Sequence, residues 1–156
     1  MQNLFSVQDK VVVVTGGSRG IGEMIAAGYL ANGAKVYITS RKADVCDATA
    51  ARLMETYGGE CVSIPADMAT LAGIEGFVSE FRTRETHLDV LVNNAGVAWG
   101  APLEDFPEVG WDKVMDTNVK GVFFLTQKLL PLLEQNAEHG SPPHVINVGS
   151  IDGIKT

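Results

Sequence analysis

Residues 11–15, VVVVT, form a compact β-branched run that stops in a glycine cluster. Four further short apolar runs follow, at 35–39, 60–64, 88–92 and 144–148, each separated from the last by a stretch with helical spacing. That alternation constrains the fold more than any other feature. Parallel strands need a crossover between them, usually a helix, and strands buried on both faces read as near-continuous apolar runs. Between the runs, residues 20–32 place Ile21, Ile25, Tyr29 and Leu30 at helical spacing, with Gly33 where a left-handed cap belongs. Residues 43–57 read as a helix closed by Gly58-Gly59, and 70–85 as an amphipathic helix through Ile74, Phe77, Val78 and Phe81. A longer helix begins near Pro107. It carries Trp111, Met115, Asn118, Val122, Leu125, Leu129 and Leu133 along one face and ends in the polar stretch 136–143.

The spacing predicts an α/β fold: a doubly wound parallel sheet of the Rossmann type, with helices on both faces. Right-handed crossovers place its five strands in the order 3-2-1-4-5. Residues 1–156 read as a single nucleotide-binding domain, with no linker, low-complexity tract or internal repeat.

The segment TGGSRGIG, residues 15–22, lies between the first strand and the first helix. Gly16 lets the chain turn sharply off the strand, Gly20 lets backbone approach a diphosphate closely, and Gly22 lets the helix pack tightly. The free amides and positive dipole end of that helix, with Ser18, Arg19 and Ile21 beside them, then face the phosphates. An ordinary glycine-rich turn is the alternative. Position decides for nucleotide binding, since the motif follows a buried strand and opens a helix.

The TGxxxGxG spacing resembles the short-chain dehydrogenase/reductase family. NNAG at residues 93–96, Asn118 in DTNVKGVFF and Ser150 in VINVGS match three further markers of that family, in order. The set is similar to that of 3-oxoacyl-carrier-protein reductases. A nucleotide-sugar epimerase is disfavoured by the loop spacing. The resemblance implies hydride transfer between a nicotinamide and a small carbonyl or alcohol substrate. It also implies a sheet that continues beyond the strands present here, and pairing of two copies through the long helix once the protein is full length.

At the end of the second strand, Thr39-Ser40-Arg41-Lys42 offers no carboxylate to bind a ribose 2′-hydroxyl. Arg41, helped by Arg19 and with Ser40 beside it, suits a 2′-phosphate, because the guanidinium fork gives two charge-assisted bonds. NADP(H) is therefore the expected cofactor, although Arg41 and Lys42 could be no more than solvated surface charges. The resemblance implies adenine contacts from Asp67 and Met68, with helix capping by Asp67 as the alternative. It implies a cofactor floor of Asn94, Ala95 and Gly96, with a purely structural role for part of NNAG, tying the central strands together, as the alternative.

Family resemblance also implies a catalytic set. A Tyr is the acid/base, a Lys four residues on lowers its pKa, a Ser bonds the substrate oxygen and an Asn supports a water relay. Ser150 and Asn118 fit the last two roles; a strand-end turn is the alternative for Ser150. An Asn on an apolar helix face competes with backbone hydrogen bonds, which argues for a functional reason. The residues four after Tyr29, Tyr37 and Tyr57 are Gly33, Arg41 and Cys61, so no Tyr-x-x-x-Lys pair is present. Only Tyr37 has a cation there, and on a strand four residues span about 13 Å. The expectation is that this chain lacks activity alone; a truncated cofactor-binding or dimerisation module is the alternative.

Composition narrows the partners. A 46% hydrophobic, 20% charged chain is globular rather than disordered, and its net charge of -7 argues against nucleic acid. No signal peptide or membrane span is expected, since the run at 11–14 is far too short. Cys46 and Cys61 have no metal-ligand spacing, so no metal site and a reducing, cytoplasmic setting are expected.

Overall fold

The computed structural model describes residues 5–138 and 142–153. Five parallel strands form one sheet in the order β3-β2-β1-β4-β5, the arrangement the alternation predicts. They are β1 (Val11–Thr15), β2 (Lys35–Thr39), β3 (Cys61–Ser63), β4 (Val90–Asn93) and β5 (His144–Asn147). Helices α1 (Gly20–Ala31), α2 (Ala43–Tyr57), α3 (Leu71–Arg84), α4 (Glu108–Met115) and α5 (Gly121–Glu138) cross between them.

Alternate strand residues divide into two cores. Val11, Val13, Tyr37 and Leu91 face α3 and α5, where they meet Phe77, Phe81, Leu125 and Leu129. Val12, Val14, Val36, Ile38, Val90 and Val92 face α1 and α2, against Ala26, Leu30 and Leu53. Burial on both faces is why these strands read as unbroken apolar runs.

The fourth strand starts two residues later than predicted: Leu88 bonds away from the sheet, while Asp89 still meets both neighbours, its amide donating to the Val11 carbonyl at 3.0 Å and its carbonyl accepting from the His144 amide at 2.8 Å. The Leu88 amide donates to the Leu132 carbonyl at 3.0 Å. The Asp89 carboxylate accepts from the Val11 amide and from Lys10 Nζ, both at 2.8 Å. Edge strand β3 is likewise shorter than the run that suggested it.

Two helix faces differ from expectation. In α1 the buried positions are Gly22, Ala26 and Leu30, while Ile21 is 59% exposed and Ile25 and Tyr29 sit at the margin of the core. Small residues let this helix lie close to the sheet, and the larger ones flank the contact. The long helix is not continuous. A π turn at Asp116–Lys120 separates α4 from α5, and its extra residue rotates everything before it relative to everything after it. Leu125, Leu129 and Leu133 are therefore core, joined by Leu132, whereas Trp111 and Met115 face solvent. The polar stretch expected to end the helix lies partly outside the described residues.

Both cysteines are free and buried. Burial, with a smaller contribution from Cys46, pushes the Cys61 thiol up to about 12. Since the thiolate is the nucleophile, iodoacetamide at pH 8 is expected to leave Cys61 unmodified in the folded chain and to alkylate it in denaturant. Mass spectrometry checks this; rapid labelling without denaturant would contradict it.

Candidate functional site

The order reverses between β1 and β4, so their carboxyl ends diverge into a crevice, where open α/β sheets bind ligands. A cavity of about 460 Å³ lies there. The glycine loop forms one wall. Gly16 and Gly20 have φ of +65° and +57°, values that side chains rarely adopt. A Cβ on Gly20 would meet no protein atom, so that position opens onto free space. Gly22 does the opposite job, since a Cβ there would run into the Gly16 carbonyl and Asn94 Nδ2.

The opposite wall is stitched to this loop. The Asn94 and Ala95 amides donate to Thr15 Oγ1 at 3.0 and 2.9 Å. Asn94 Nδ2 returns a bond to the Thr15 carbonyl at 2.9 Å. Asn93, the buried first residue of the motif, donates to Thr126 Oγ1 and Asn147 Oδ1 instead. Part of NNAG thus ties strands together, as the sequence left open, while Asn94, Ala95 and Gly96 line the cavity.

Asp67 and Met68 line it as well. Asp67 Oδ1 accepts from the Ala69 amide at 3.0 Å, closing the turn before α3. The cap of α3 itself is Thr70, whose hydroxyl accepts from Gly73. Helix capping by Asp67 is therefore ruled out.

At the far end, Ser40, Arg41 and Lys42 line the cavity together with Ser18 and Arg19. Among the described residues every other lysine and arginine has a carboxylate, carbonyl or aromatic ring to engage. Examples are Lys35 with Glu60 and Glu85, Arg52 with Glu23, and Lys113 over Trp99. Arg19, Arg41 and Lys42 are the three with no such partner among those residues. In a chain of net charge -7, the unpaired cations are gathered on one cavity.

Eleven of the thirteen expected cofactor residues line this cavity; Ile21 and Gly22 do not. Ile21 opens α1 with its side chain in solvent, and Gly22 packs beneath the loop. Thr39, Val45, Ala66, Val97 and Thr117 also line it and were missed. So was Gly17, where a Cβ would come within 2.7 Å of Ile38 Cγ2. The strand-end position of Thr39 was the signal available for it. Nothing in the sequence marks Val97 or Thr117.

Asn118 and Ser150 stand outside this cavity. Asn118 sits in the π turn, a geometry common at functional sites. Its Oδ1 accepts from the Val97 amide and its Nδ2 donates to the Val97 carbonyl, each at 2.9 Å. The side chain pins the loop after NNAG, which gives this helical Asn a structural reason that the sequence did not show. Asn118 also borders a second groove, with Val122, Phe123, Thr126, Val145 and Asn147. Ser150 follows β5, exposed, and its carbonyl accepts from the Gly153 amide at 3.1 Å. Among the described residues, no group of three or more His, Cys, Asp or Glu side chains could hold a metal ion. No helix among them is long and apolar enough to cross a membrane.

Residues 10–156 match the family described as short chain dehydrogenase. The chain belongs to that family. It is 49% identical over 154 residues to the rhamnolipids biosynthesis 3-oxoacyl-(acyl-carrier-protein) reductase of Pseudomonas aeruginosa, covering 99% of this chain and 59% of that protein. The Pseudomonas aeruginosa RhlG/NADP active-site complex superposes with a TM-score of 0.93 at 48% identity, covering 100% of this chain and 60% of the other. L-sorbose reductase from Gluconobacter frateurii, complexed with NADPH and L-sorbose, gives 0.89 at 28% identity, covering 95% and 55%. The chain thus spans about 60% of the length of such relatives.

Proposed function

We propose that this short-chain dehydrogenase segment binds NADP(H) and serves hydride transfer between the nicotinamide and a carbonyl or alcohol substrate. The observation that carries the cofactor reading is the trio of Arg19, Arg41 and Lys42, which line the cavity and have no partner among the described residues. Such groups suit a 2′-phosphate, and no carboxylate stands at the end of β2 to prefer a bare ribose. The amides at the start of α1 hold the diphosphate, Gly16 and Gly20 clear its path, and Ser18 and Ser40 add polar contacts. Asp67 and Met68 border the adenine; Asn94, Ala95 and Gly96 form the floor. Ser150 bonds the substrate oxygen, and Asn118 fixes the loop beside it and supports a water relay. When bound, the nicotinamide supplies the hydride.

A 3-oxoacyl thioester is the substrate class to try first, on the strength of the Pseudomonas relative. Pairing of full-length copies through the long helix has support in exposed Trp111, Met115, Val119 and Phe123 rather than in the leucines, which are core. The buried free cysteines suit a cytoplasmic setting.

A second reading, cofactor binding without turnover, has an observation in its favour for these residues taken alone. No Tyr-x-x-x-Lys pair occurs among them, and Tyr37 cannot replace it. Its ring is fully buried and its hydroxyl donates to Glu85 Oε1 at 2.6 Å. Burial, then that bond, pushes it up to about 12. Calorimetric titration tests both readings. NADPH is expected to bind in the micromolar range and NADH at least tenfold more weakly, while ketones and 3-oxoacyl thioesters give no NADPH oxidation at 340 nm. No heat from NADPH at millimolar concentration would sink the cofactor assignment. Robust oxidation by the 156 residues would sink the second reading.

A further inference from the structure

Thr49 is set apart within α2 by where its hydroxyl goes. A threonine inside a helix commonly turns its hydroxyl back onto the carbonyl one turn earlier. Thr56 of the same helix does so, donating to the Arg52 carbonyl at 2.8 Å. Thr49 instead donates to the Ser18 carbonyl in the glycine loop, at 3.0 Å. Thr49 is 3% exposed and Ser18 8%, so water does not compete for this bond. Its neighbours Ala48, Ala50 and Ala51 are the strongest helix formers, and a β-branched residue among them weakens the helix. The contribution of this hydroxyl therefore lies outside α2.

Its effect on the loop follows from peptide geometry. A planar trans peptide points its C=O and its N–H in opposite directions. Holding the Ser18 carbonyl toward α2 therefore fixes the Arg19 N–H on the other side. That amide donates to no protein acceptor among the described residues, and Ser18 and Arg19 both line the cavity. A second link from α2, Arg52 to Glu23 at 2.7 Å, reaches α1 rather than the loop and ends on an exposed guanidinium. Exposed pairs hold little, so the buried Thr49 bond is what sets the peptide.

We infer that Thr49 is a positioning residue for the phosphate-recognising end of the cofactor site, acting through the Ser18–Arg19 peptide to aim Arg19 at the 2′-phosphate. This rests on the NADP(H) reading above. NADPH and NADH affinities of the whole chain and its variants, from nicotinamide fluorescence, test it, with thermal unfolding run alongside. Thr49→Val keeps the shape and removes the donor. It is expected to weaken NADPH about fivefold, the scale of one hydrogen bond, and NADH less than twofold. Thr49→Ser restores the donor and is expected to return NADPH affinity to within about twofold of wild type. A lowered melting temperature with both cofactors weakened equally would mean a merely structural role and would overturn the inference. So would an unchanged NADPH/NADH ratio in Thr49→Val beside a wild type that prefers NADPH. A wild type with no such preference overturns the cofactor reading, and this inference with it. Should Thr49→Val not fold, Thr49→Ala carries the same comparison.

Discussion

Arg41→Asp is expected to invert the cofactor preference, weakening NADPH by at least about 100-fold while leaving NADH within about threefold of wild type. The guanidinium lines the cavity, and no carboxylate among the described residues pairs with it, so its hydrogen-bonding capacity is open to a ligand. A hydrogen bond to a charged group contributes about 1.5–3 kcal/mol, and each 1.4 kcal/mol is tenfold in affinity. The substitution removes such bonds and sets a like charge against a near-dianionic phosphate, so the two losses add. For NADH the same aspartate meets a ribose hydroxyl, which it can accept from. Dissociation constants for the two cofactors measured side by side decide the matter. An unchanged ratio would mean that Arg41 is a solvated surface charge and that the phosphate is recognised elsewhere.

Gly22→Val is expected to abolish cofactor binding and to destabilise the fold by about 2–4 kcal/mol. The new side chain would collide with the Gly16 carbonyl and with Asn94 Nδ2. Neither can retreat, because Gly16 shapes the turn and the Asn94 amide is committed to the Thr15 carbonyl. Gly28 on the same helix is the control, since a Cβ there meets nothing. Gly28→Ala should leave binding intact and stabilise the chain by up to about 1 kcal/mol through helix propensity. Chemical denaturation and an NADPH titration read both variants. A Gly22→Val protein as stable as wild type would show that the loop adjusts more freely than its contacts suggest.

The sequence carried the architecture because the alternation is strong and redundant. Strands buried on both faces announce themselves as unbroken apolar runs, and strand order follows from handedness once the elements are placed. The glycine loop and NNAG were legible for a different reason, since backbone crowding restricts those positions to residues without side chains or with short ones. What stayed hidden depends on phase and on long-range bonds. The π turn at Asp116–Lys120 adds a residue without any compositional mark, so the apolar face drawn through Trp111, Met115 and the leucines joined two faces that diverge. Asn118 was recognised as out of place in a helix, but its partner Val97 is 21 residues away and could not be read. Ile21 looked like part of the site because the motif includes it; its side chain starts a helix on the side facing water. Thr15 was passed over as a strand residue, although its hydroxyl receives two amides from across the sheet.

That hydroxyl has a consequence for how the site works. With the Asn94 and Ala95 amides received by Thr15 and the Asn94 side chain returned to it, the β1 and β4 ends of the crevice cannot open independently. The receptor is preorganised: its walls are already in register before a ligand arrives, so little ordering entropy is lost on binding and more of the contact energy is expressed as affinity. Association should then approach simple encounter kinetics, with the residence time of the nucleotide, rather than its rate of entry, bearing the effect of most substitutions around the rim.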